Sequence, residues 1–583
     1  MKQKPAEFKS IENSDLRFFR TILPNDCVLT EKEFLYIYSM DGTLFEPRNI
    51  PEVILLTETN AQISQIVKYS NEHKIPITPR GSGTSLSGGP VARFGGIILD
   101  LSRMTRIEEI SIENQRVIVE SGVICDKLNE ELKKYGYFFP PDPGSSSAAS
   151  IGGMMANNAG GVQAFKYGTT KDYILWLEVV LPDGSVVEMG SKTLKSNSAL
   201  NFCGLMAGSE GTLGIITKAA LRIKPLPKAR KTGFYIYPKI ESIAEVIRRI
   251  RIEGLMPNLQ EYLDKITARA CYEYLGGEYL EYPDGYALII EVDGSEAEVR
   301  SSFEHVHAIA VSEGAMFHRI SETAKDRDRV IAARKAALPA LSRIAPTTLI
   351  EDCTINLDKW TEAVSKMEHI IDRFPDSGVK IATFGHLEGN IHPTIMFDET
   401  NEKHRKIFEN IMDILYNEIV LPLGGTVTGE HGIGFVKSPY IEGEHASLAT
   451  LSKSIKKTFD PNNIMNPGKG KSFVDSEPEI KNRGKFIRAI GGSSFRIINC
   501  IRCGFCVQSC PLYQATQSQF FSPRGRMILI NGLLKHEIEL TQKVHESISG
   551  CSLCAQCRLK CPAGVETDEI CEQARAIFLK LDI

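Results

Sequence analysis

Two short stretches carry the residues best suited to chemistry, 383–392 (TFGHLEGNIH) and 426–435 (TVTGEHGIGF). In the first, His386 and His392 flank a Gly/Asn turn inside an alternating apolar pattern, which reads as a tight hairpin. In the second, Glu430 and His431 stand between glycines that free the backbone to aim neighbouring side chains independently. Two imidazoles and one carboxylate suffice to hold a borderline divalent metal (Zn, Fe or Mn) with coordination positions left open. His431 then stands beside that metal as a spare base. The competing reading of His386, His392 and Glu430 is a satisfied polar network in a core.

A second chemistry is written near the C-terminus. Of fourteen cysteines, eight fall within 500–561, as Cys500-x2-Cys503-x2-Cys506-x3-Cys510-Pro511 and again as Cys551, Cys554, Cys557, Cys561 and Pro562. Such spacing wraps three thiolates round one corner of a cubane, and in two-cluster ferredoxins the fourth cysteine ligates the other cluster. One [4Fe–4S] cluster is therefore expected on Cys500, Cys503, Cys506 and Cys561, and another on Cys551, Cys554, Cys557 and Cys510. Zinc is the competing ligand, but it does not require runs of four ending in Cys-Pro. The remaining cysteines (Cys27, Cys125, Cys203, Cys271, Cys353, Cys571) read as small buried apolar residues. Between Ile480 and Glu537 every charged residue is basic, which would raise cluster potentials and steer an acidic partner.

The chain that must position these groups is 583 residues long, too long for one hydrophobic core, so three or four domains are expected. A net charge of −4 and the lack of any nucleic-acid motif argue against nucleic-acid binding. No apolar run approaches the roughly 18–20 residues that span a bilayer. The first residues, MKQKPAEFKS, have no apolar segment behind their lysines. A cytoplasmic protein is expected, with any membrane contact supplied by a partner.

Residues 1–45 read as a short helical lead-in with no assigned role. From Pro51 the pattern is α/β: 54–59 is strand-like and 61–73 has helical periodicity. A loop of Gly, Ser and Thr follows in 75–89. Gly81 and Gly83 lack the third glycine of a dinucleotide fingerprint, because Leu86 holds its place. The loop's dense backbone N–H groups and hydroxyls suit a pyrophosphate, with Arg80 adding charge; a flexible surface loop is the alternative. A second Gly/Ser/Asn-rich stretch, 140–168, lets backbone lie against a flat or phosphorylated ligand. Residues 177–189 form a hairpin about Asp183-Gly184. From Thr232, strands with interspersed helices indicate an antiparallel α+β layer.

The stretches 80–89, 141–161, 167–172 and 208–214 closely resemble the FAD-binding domain of the vanillyl-alcohol-oxidase/PCMH flavoproteins. The branch resembled is the D-lactate dehydrogenase, glycolate oxidase subunit GlcD and D-2-hydroxyglutarate dehydrogenase group, over about 45–470. The resemblance implies an α+β protein: a two-subdomain PCMH-type FAD-binding domain at 46–227 and an antiparallel, ferredoxin-like substrate or cap domain at 228–470. A linker at 471–490 and a helical dicluster domain at 491–583 complete it. FAD pyrophosphate is implied on Arg80, Gly81, Ser82, Gly83, Thr84 and Ser85. Further FAD contacts are implied from Pro143, Gly144, Gly152, Gly153, Asn157, Gly160, Gly161, Tyr167, Gly168, Glu210, Gly214 and Asn466. Thr84 and Ser85 stand where some relatives attach the flavin through histidine, so non-covalent FAD is expected.

Arg334 matches a family arginine that clamps a substrate carboxylate, a task suited to its planar fork; a solvated charge beside Lys335 and Arg343 is the alternative. The family's metal ligands match His386, His392 and Glu430. This chain reads GHLEGNIH where relatives read GH-x-G-D-G-N-x-H, one residue shorter, with Glu388 in place of Gly-Asp. SPRGR (522–526) resembles the ferredoxin-like part of glycolate oxidase iron–sulfur subunits and heterodisulfide-reductase-like proteins, which continue into CCG domains. An electron-accepting partner of that or another redox kind is implied. The implied activity is oxidation of a small 2-hydroxy acid, of the D-lactate or glycolate type, with Arg334 and His431 as catalytic residues. The rival is a flavin and iron–sulfur electron-transfer subunit of a larger complex with no hydroxyacid oxidation of its own.

Overall fold

A computed structural model of the protein describes residues 8–43, 50–470 and 500–580. The expected linker at 471–490 lies outside the described residues.

The short apolar strands Val53–Leu56, Ile97–Asp100 and Ile77–Arg80 pair in parallel, with Val28–Leu29 antiparallel at one edge. They are buried along nearly their whole length, as a parallel sheet covered by helices requires. The helix Asn60–Glu72 starts at a reciprocal Thr59/Gln62 capping box and buries Ile63, Ile66 and Val67. Because Ile77–Arg80 runs directly into the Gly/Ser loop, that loop emerges at the carboxyl edge of the sheet, where open α/β sheets bind ligands.

A five-stranded antiparallel sheet follows, in the order Ile107–Ser111, Arg116–Glu120, Ile215–Arg222, Ile174–Val180 and Val186–Gly190. Its hairpin turns at Asp183-Gly184, with Gly184 at φ +84°.

The largest layer is a sheet built wholly of antiparallel pairs. It runs Phe317–Ile320, Ala229–Tyr237, Tyr286–Gly294, Leu259–Leu263, Lys380–His386, Asn390–Phe397 and Thr347–Ile350, and Cys353–Thr354 also pairs with Asn390–Phe397. Alternate residues divide between two cores. Tyr235, Tyr237, Leu288 and Ile290 pack with the helices Ile240–Ile252, Glu296–Ser312 and Leu357–Glu368. Phe234, Ile236, Ala287 and Ile289 pack with Lys265–Leu275 and Ala324–Leu341. That second pair of helices brings Arg334 over the sheet.

The cysteine-rich region is a set of short helices, Pro511–Thr516, Pro523–Leu534, Gln542–Ser549, Gln556–Lys560 and Thr567–Lys580. It does not hang free. One apolar core joins Phe520, Met527, Ile548 and Phe578 of this module to Phe19, Tyr36 and Ile37 of the N-terminal segment and to Ile54 and Ile98 of the parallel sheet. Phe34 stacks on Phe520 with centroids 4.6 Å apart, Glu31 pairs with Lys543 at 2.5 Å, and Tyr36 donates to Glu537. The N-terminal stretch, which had no assigned role, is thus the joint that fastens the module to the rest of the chain. Phe520→Ala should open a cavity in this joint at a cost of about 3–5 kcal/mol. In urea the module's transition should then come at lower concentration than that of the antiparallel domain.

Candidate active site

The hairpin register pairs His386 with Asn390 and Phe384 with His392, so with a two-residue period all four side chains share one face. The turn is only Leu387, Glu388 and Gly389, with Gly389 at φ +124°. Even so, His386 Nε2 and His392 Nε2 lie 3.4 Å apart. Glu430 Oε1 lies 3.4 Å from each of them. A tetrahedral ion bonded at about 2.0–2.1 Å needs ligand atoms roughly 3.3–3.4 Å apart. The donor set therefore fits three corners of such a site, and the shortened turn does not splay the histidines.

Glu261 holds this arrangement from behind. It lies directly across the sheet from His386, fully buried on Leu259–Leu263. Its Oε1 meets His386 Nδ1 and its Oε2 accepts from Arg334 Nε. Burial alone would raise this carboxyl, but Arg334 and His386 outweigh it and hold it below the usual range. With Nδ1 engaged, His386 presents Nε2 to the site, the usual way an outer carboxylate orients a metal-binding imidazole. Arg334 also lies over the Phe384 ring at 4.9 Å, so it is a packed side chain and not a solvated one. Glu261 is absent from the residues singled out in the sequence; its one signal is a glutamate inside an otherwise strand-like run.

Asp352 performs the equivalent task for the Glu430 loop. Its Oδ2 accepts from the backbone N–H groups of Gly429, Glu430 and His431 at 2.9, 3.0 and 3.0 Å and from the Thr428 hydroxyl at 2.6 Å. Burial opposes its charge, yet Lys437, 3.7 Å away, and the neighbouring histidines hold the carboxyl well below its ordinary value. Glu210 secures the next turn by accepting from Ile433 and Gly434 at 2.7 and 2.9 Å. Gly432 and Gly434 take positive φ there, +81° and +51°. The His431 ring stacks on His392 at 5.1 Å, and its Nε2 lies 3.8 Å from Glu430 Oε1. Burial lowers the His431 pKa to about 4, which leaves the ring neutral. Burial would raise Glu430, but its contacts with His386 and His392 keep it well below the carboxylate range.

These groups open into a cavity of about 650 Å³, within the size range of cofactor sites. Its wall includes Arg80, Gly81, Ser82, Gly83, Thr84, Ser85, Pro143, Gly144, Gly152, Gly153, Asn157, Gly160, Gly161, Glu210 and Gly214, together with Arg334, His386, His392, Glu430 and His431. Gly144 has nothing within 4 Å of where a Cβ would stand, which leaves its backbone open to a ligand. A wall of backbone and hydroxyl groups fits FAD.

Three expected flavin contacts lie elsewhere. Tyr167 donates to Asp293 at 2.9 Å, and Gly168, at φ +80°, sits against Asp172. Asn466 braces the loop from behind, donating to the carbonyls of Gly89 and Glu210 at 3.0 and 2.7 Å. Arg80 has a further duty. Its guanidinium donates to the carbonyls of Tyr38, Met40 and Pro90 at 3.1, 2.8 and 3.3 Å, so its charge lies behind the phosphate loop.

The same cavity reaches Ile501, Cys503, Phe505 and Pro562. Cys500, Cys503, Cys506 and Cys561 lie close enough to act on one another's charge. Cys551 acts likewise on Cys557, and Cys510 Sγ lies 3.9 Å from Arg526, which also faces Cys551. Cys571 is buried as expected, but its thiol is hydrogen-bonded to Cys551 and is no plain apolar filler.

Residues 51–190 match the family described as FAD binding domain, 226–470 the FAD linked oxidases C-terminal domain, and 496–565 the 4Fe-4S dicluster domain. Glycolate oxidase subunit GlcD of Bacillus subtilis is 35% identical over 437 residues, covering 74% of this chain and 91% of that protein. The chain belongs to the FAD-linked oxidases of the D-lactate dehydrogenase and GlcD group. D-lactate dehydrogenase of Archaeoglobus fulgidus is a further relative, 34% identical over 440 residues, 74% of this chain and 95% of that one. The family member described here is an FAD-dependent oxidoreductase of α+β, PCMH-type fold that carries an added dicluster module. In fold alone it is similar to p-cresol methylhydroxylase (TM-score 0.65, 20% identity, 81% of this chain and 98% of that one). It is similar in the same way to alkyldihydroxyacetonephosphate synthase (TM-score 0.65, 18% identity, 79% and 85%). Among the described residues no helix is long and apolar enough to cross a membrane.

Asp352→Ala should leave three buried backbone N–H groups without their acceptor, destabilising the protein by about 3 kcal/mol or more at roughly 1–3 kcal/mol for each unsatisfied group. Thermal unfolding followed by circular dichroism checks this, and an unchanged melting temperature would exclude the clasp.

Proposed function

We propose that this protein oxidises a small 2-hydroxy acid, of the D-lactate or glycolate type, to the 2-oxo acid. A divalent ion assists, and electrons leave through two [4Fe–4S] clusters to a partner protein. One observation supports the reading: a single cavity is lined by the Gly/Ser loops, Arg334, the His386–His392–Glu430 donor set, His431 and Cys503.

Each residue's part follows from its setting. Arg334 has Nε committed to Glu261, and its terminal nitrogens would meet the substrate carboxylate as a fork. His386, His392 and Glu430 would hold the divalent ion. When bound, that ion supplies Lewis acidity at the substrate hydroxyl, and FAD supplies the hydride acceptor. His431, held against His392 by the Asp352 clasp, takes the hydroxyl proton as general base. Thr84 and Ser85 offer hydroxyls where covalent relatives offer an imidazole, in keeping with non-covalent FAD. Cys500, Cys503, Cys506 and Cys561 would hold one cluster, and Cys551, Cys554, Cys557 and Cys510 the other. The acceptor would be a CCG-domain protein of the heterodisulfide-reductase kind or another redox subunit. The rival reading is a pure electron carrier, which a hairpin too short to bring the histidines together would favour; the 3.4 Å histidine spacing weighs against it.

Anaerobic mixing of the protein with D- and L-hydroxyacids should bleach the flavin with one chiral series. His431→Ala should slow that bleaching by about 10²–10⁴-fold, and a full rate would remove the base assignment. Elemental analysis should find one divalent ion per flavin beyond the cluster iron, and its removal by a chelator should abolish bleaching. Flavin reduction that persists without the ion would refute its role.

A further inference from the structure

The SPRGR stretch (522–526) is not absorbed by the cluster assignment. It opens the helix Pro523–Leu534, with the Ser522 hydroxyl accepting from Gly525 N–H at 2.9 Å. Its two arginines are both buried and face different redox sites. Arg526 donates to the Ser547 carbonyl at 2.8 Å and lies 3.9 Å from Cys510 Sγ. Arg524 keeps one contact in its own module, Nη2 donating to Gln519 Oε1 at 2.9 Å, and otherwise reaches across to the phosphate loop. Its Nη1 donates to the carbonyl of Gly83 at 2.9 Å and its Nη2 to the carbonyl of Ser82 at 2.8 Å. Gly504, at φ +84°, gives it passage: a Cβ there would stand 2.9 Å from Arg524 Nη1 and 3.6 Å from Thr84 Cγ2.

Two consequences follow. In a trans peptide the C=O and the following N–H point in opposite directions. Drawing the carbonyls of Ser82 and Gly83 back onto Arg524 therefore turns the N–H groups of Gly83 and Thr84 the other way. The second consequence is electrostatic. Arg524 makes no ion pair among the described residues; burial chiefly, and then the nearby Arg524, depress the pKa of Arg80. Two buried guanidinium groups stand behind one short loop, and a phosphate before the loop is the complementary charge.

We propose that the dicluster module completes the flavin site. Arg524 sets the backbone of the phosphate loop and supplies the cation opposite the FAD pyrophosphate, so full FAD affinity depends on the docked module. This rests on the flavin reading of the cavity. Arg524 is a positioning residue, so its test reads binding, not turnover. Full-length wild type, Arg524→Lys and Arg524→Ala would be stripped of flavin and titrated with FAD and with riboflavin, alongside iron analysis. Arg524→Ala should keep its iron and bind FAD at least tenfold more weakly, since hydrogen bonds from a charged group contribute about 1.5–3 kcal/mol. Riboflavin, which has no pyrophosphate, should bind all three proteins alike. Arg524→Lys, which keeps the charge but not the fork, should fall between. Should the alanine variant lose its iron, the lysine variant decides alone: weakened FAD binding supports the inference, and wild-type affinity overturns it. Equal FAD affinity in all three overturns it too, whereas a wild type that binds no flavin overturns the proposed function itself.

Discussion

A carboxylate without water must share its charge, and Glu261 shares it twice. Fully buried in the middle of the large sheet, it would cost several kcal/mol if unpaired. Arg334 from a covering helix and His386 from the adjacent strand both close on it. The distance between the Arg334 guanidinium and the His386 imidazole is thereby set by one side chain. Neither partner can drift without exposing the acid to an apolar surrounding. A helix, a hairpin and a central strand are registered to one another at the point where chemistry needs them.

The same device recurs round the cavity. Asp352 gathers the N–H groups of 429–431, Glu210 those of 433 and 434, and Asp142 takes the Gln163 side chain. Each acid draws an irregular loop onto itself. Such loops carry many glycines and little apolar surface, so packing alone would not order them. Charge-assisted hydrogen bonds to backbone N–H groups do that without placing a bulky side chain in the cavity.

The legible features were local in sequence. The hairpin histidines, the Glu430-His431 pair and the cysteine runs lie within a few residues of one another, and spacing alone conveys their geometry. Glu261, Asp352 and Arg524 act on residues that lie 125, 79 and 441 positions away in the chain. No periodicity carries that information. Arg80 has a further duty of the same kind: an arginine beginning a phosphate-type loop reads as a ligand, and buried here it also satisfies carbonyls of 38, 40 and 90. Tyr167 likewise serves the join between domains, donating to Asp293 of the large sheet. The N-terminal lead-in stayed mute because its partners, Phe520 and Lys543, lie near the other end of the chain.

Fusing an electron relay to a flavin domain sets a geometric problem that a flexible tether does not solve, because transfer needs a persistent close approach. Among the described residues the chain meets it with a shared apolar core. The core that holds the cysteine helices is continuous with the one beneath the parallel sheet, and that sheet ends in the Gly/Ser loop. The loop and Cys503 consequently belong to one packed unit and line one cavity. Interiors are close-packed and resist small displacements, so movement of the cysteine module would disturb the phosphate loop directly. On this argument the flavin and the first cluster are held in register by the same contacts that keep each module folded.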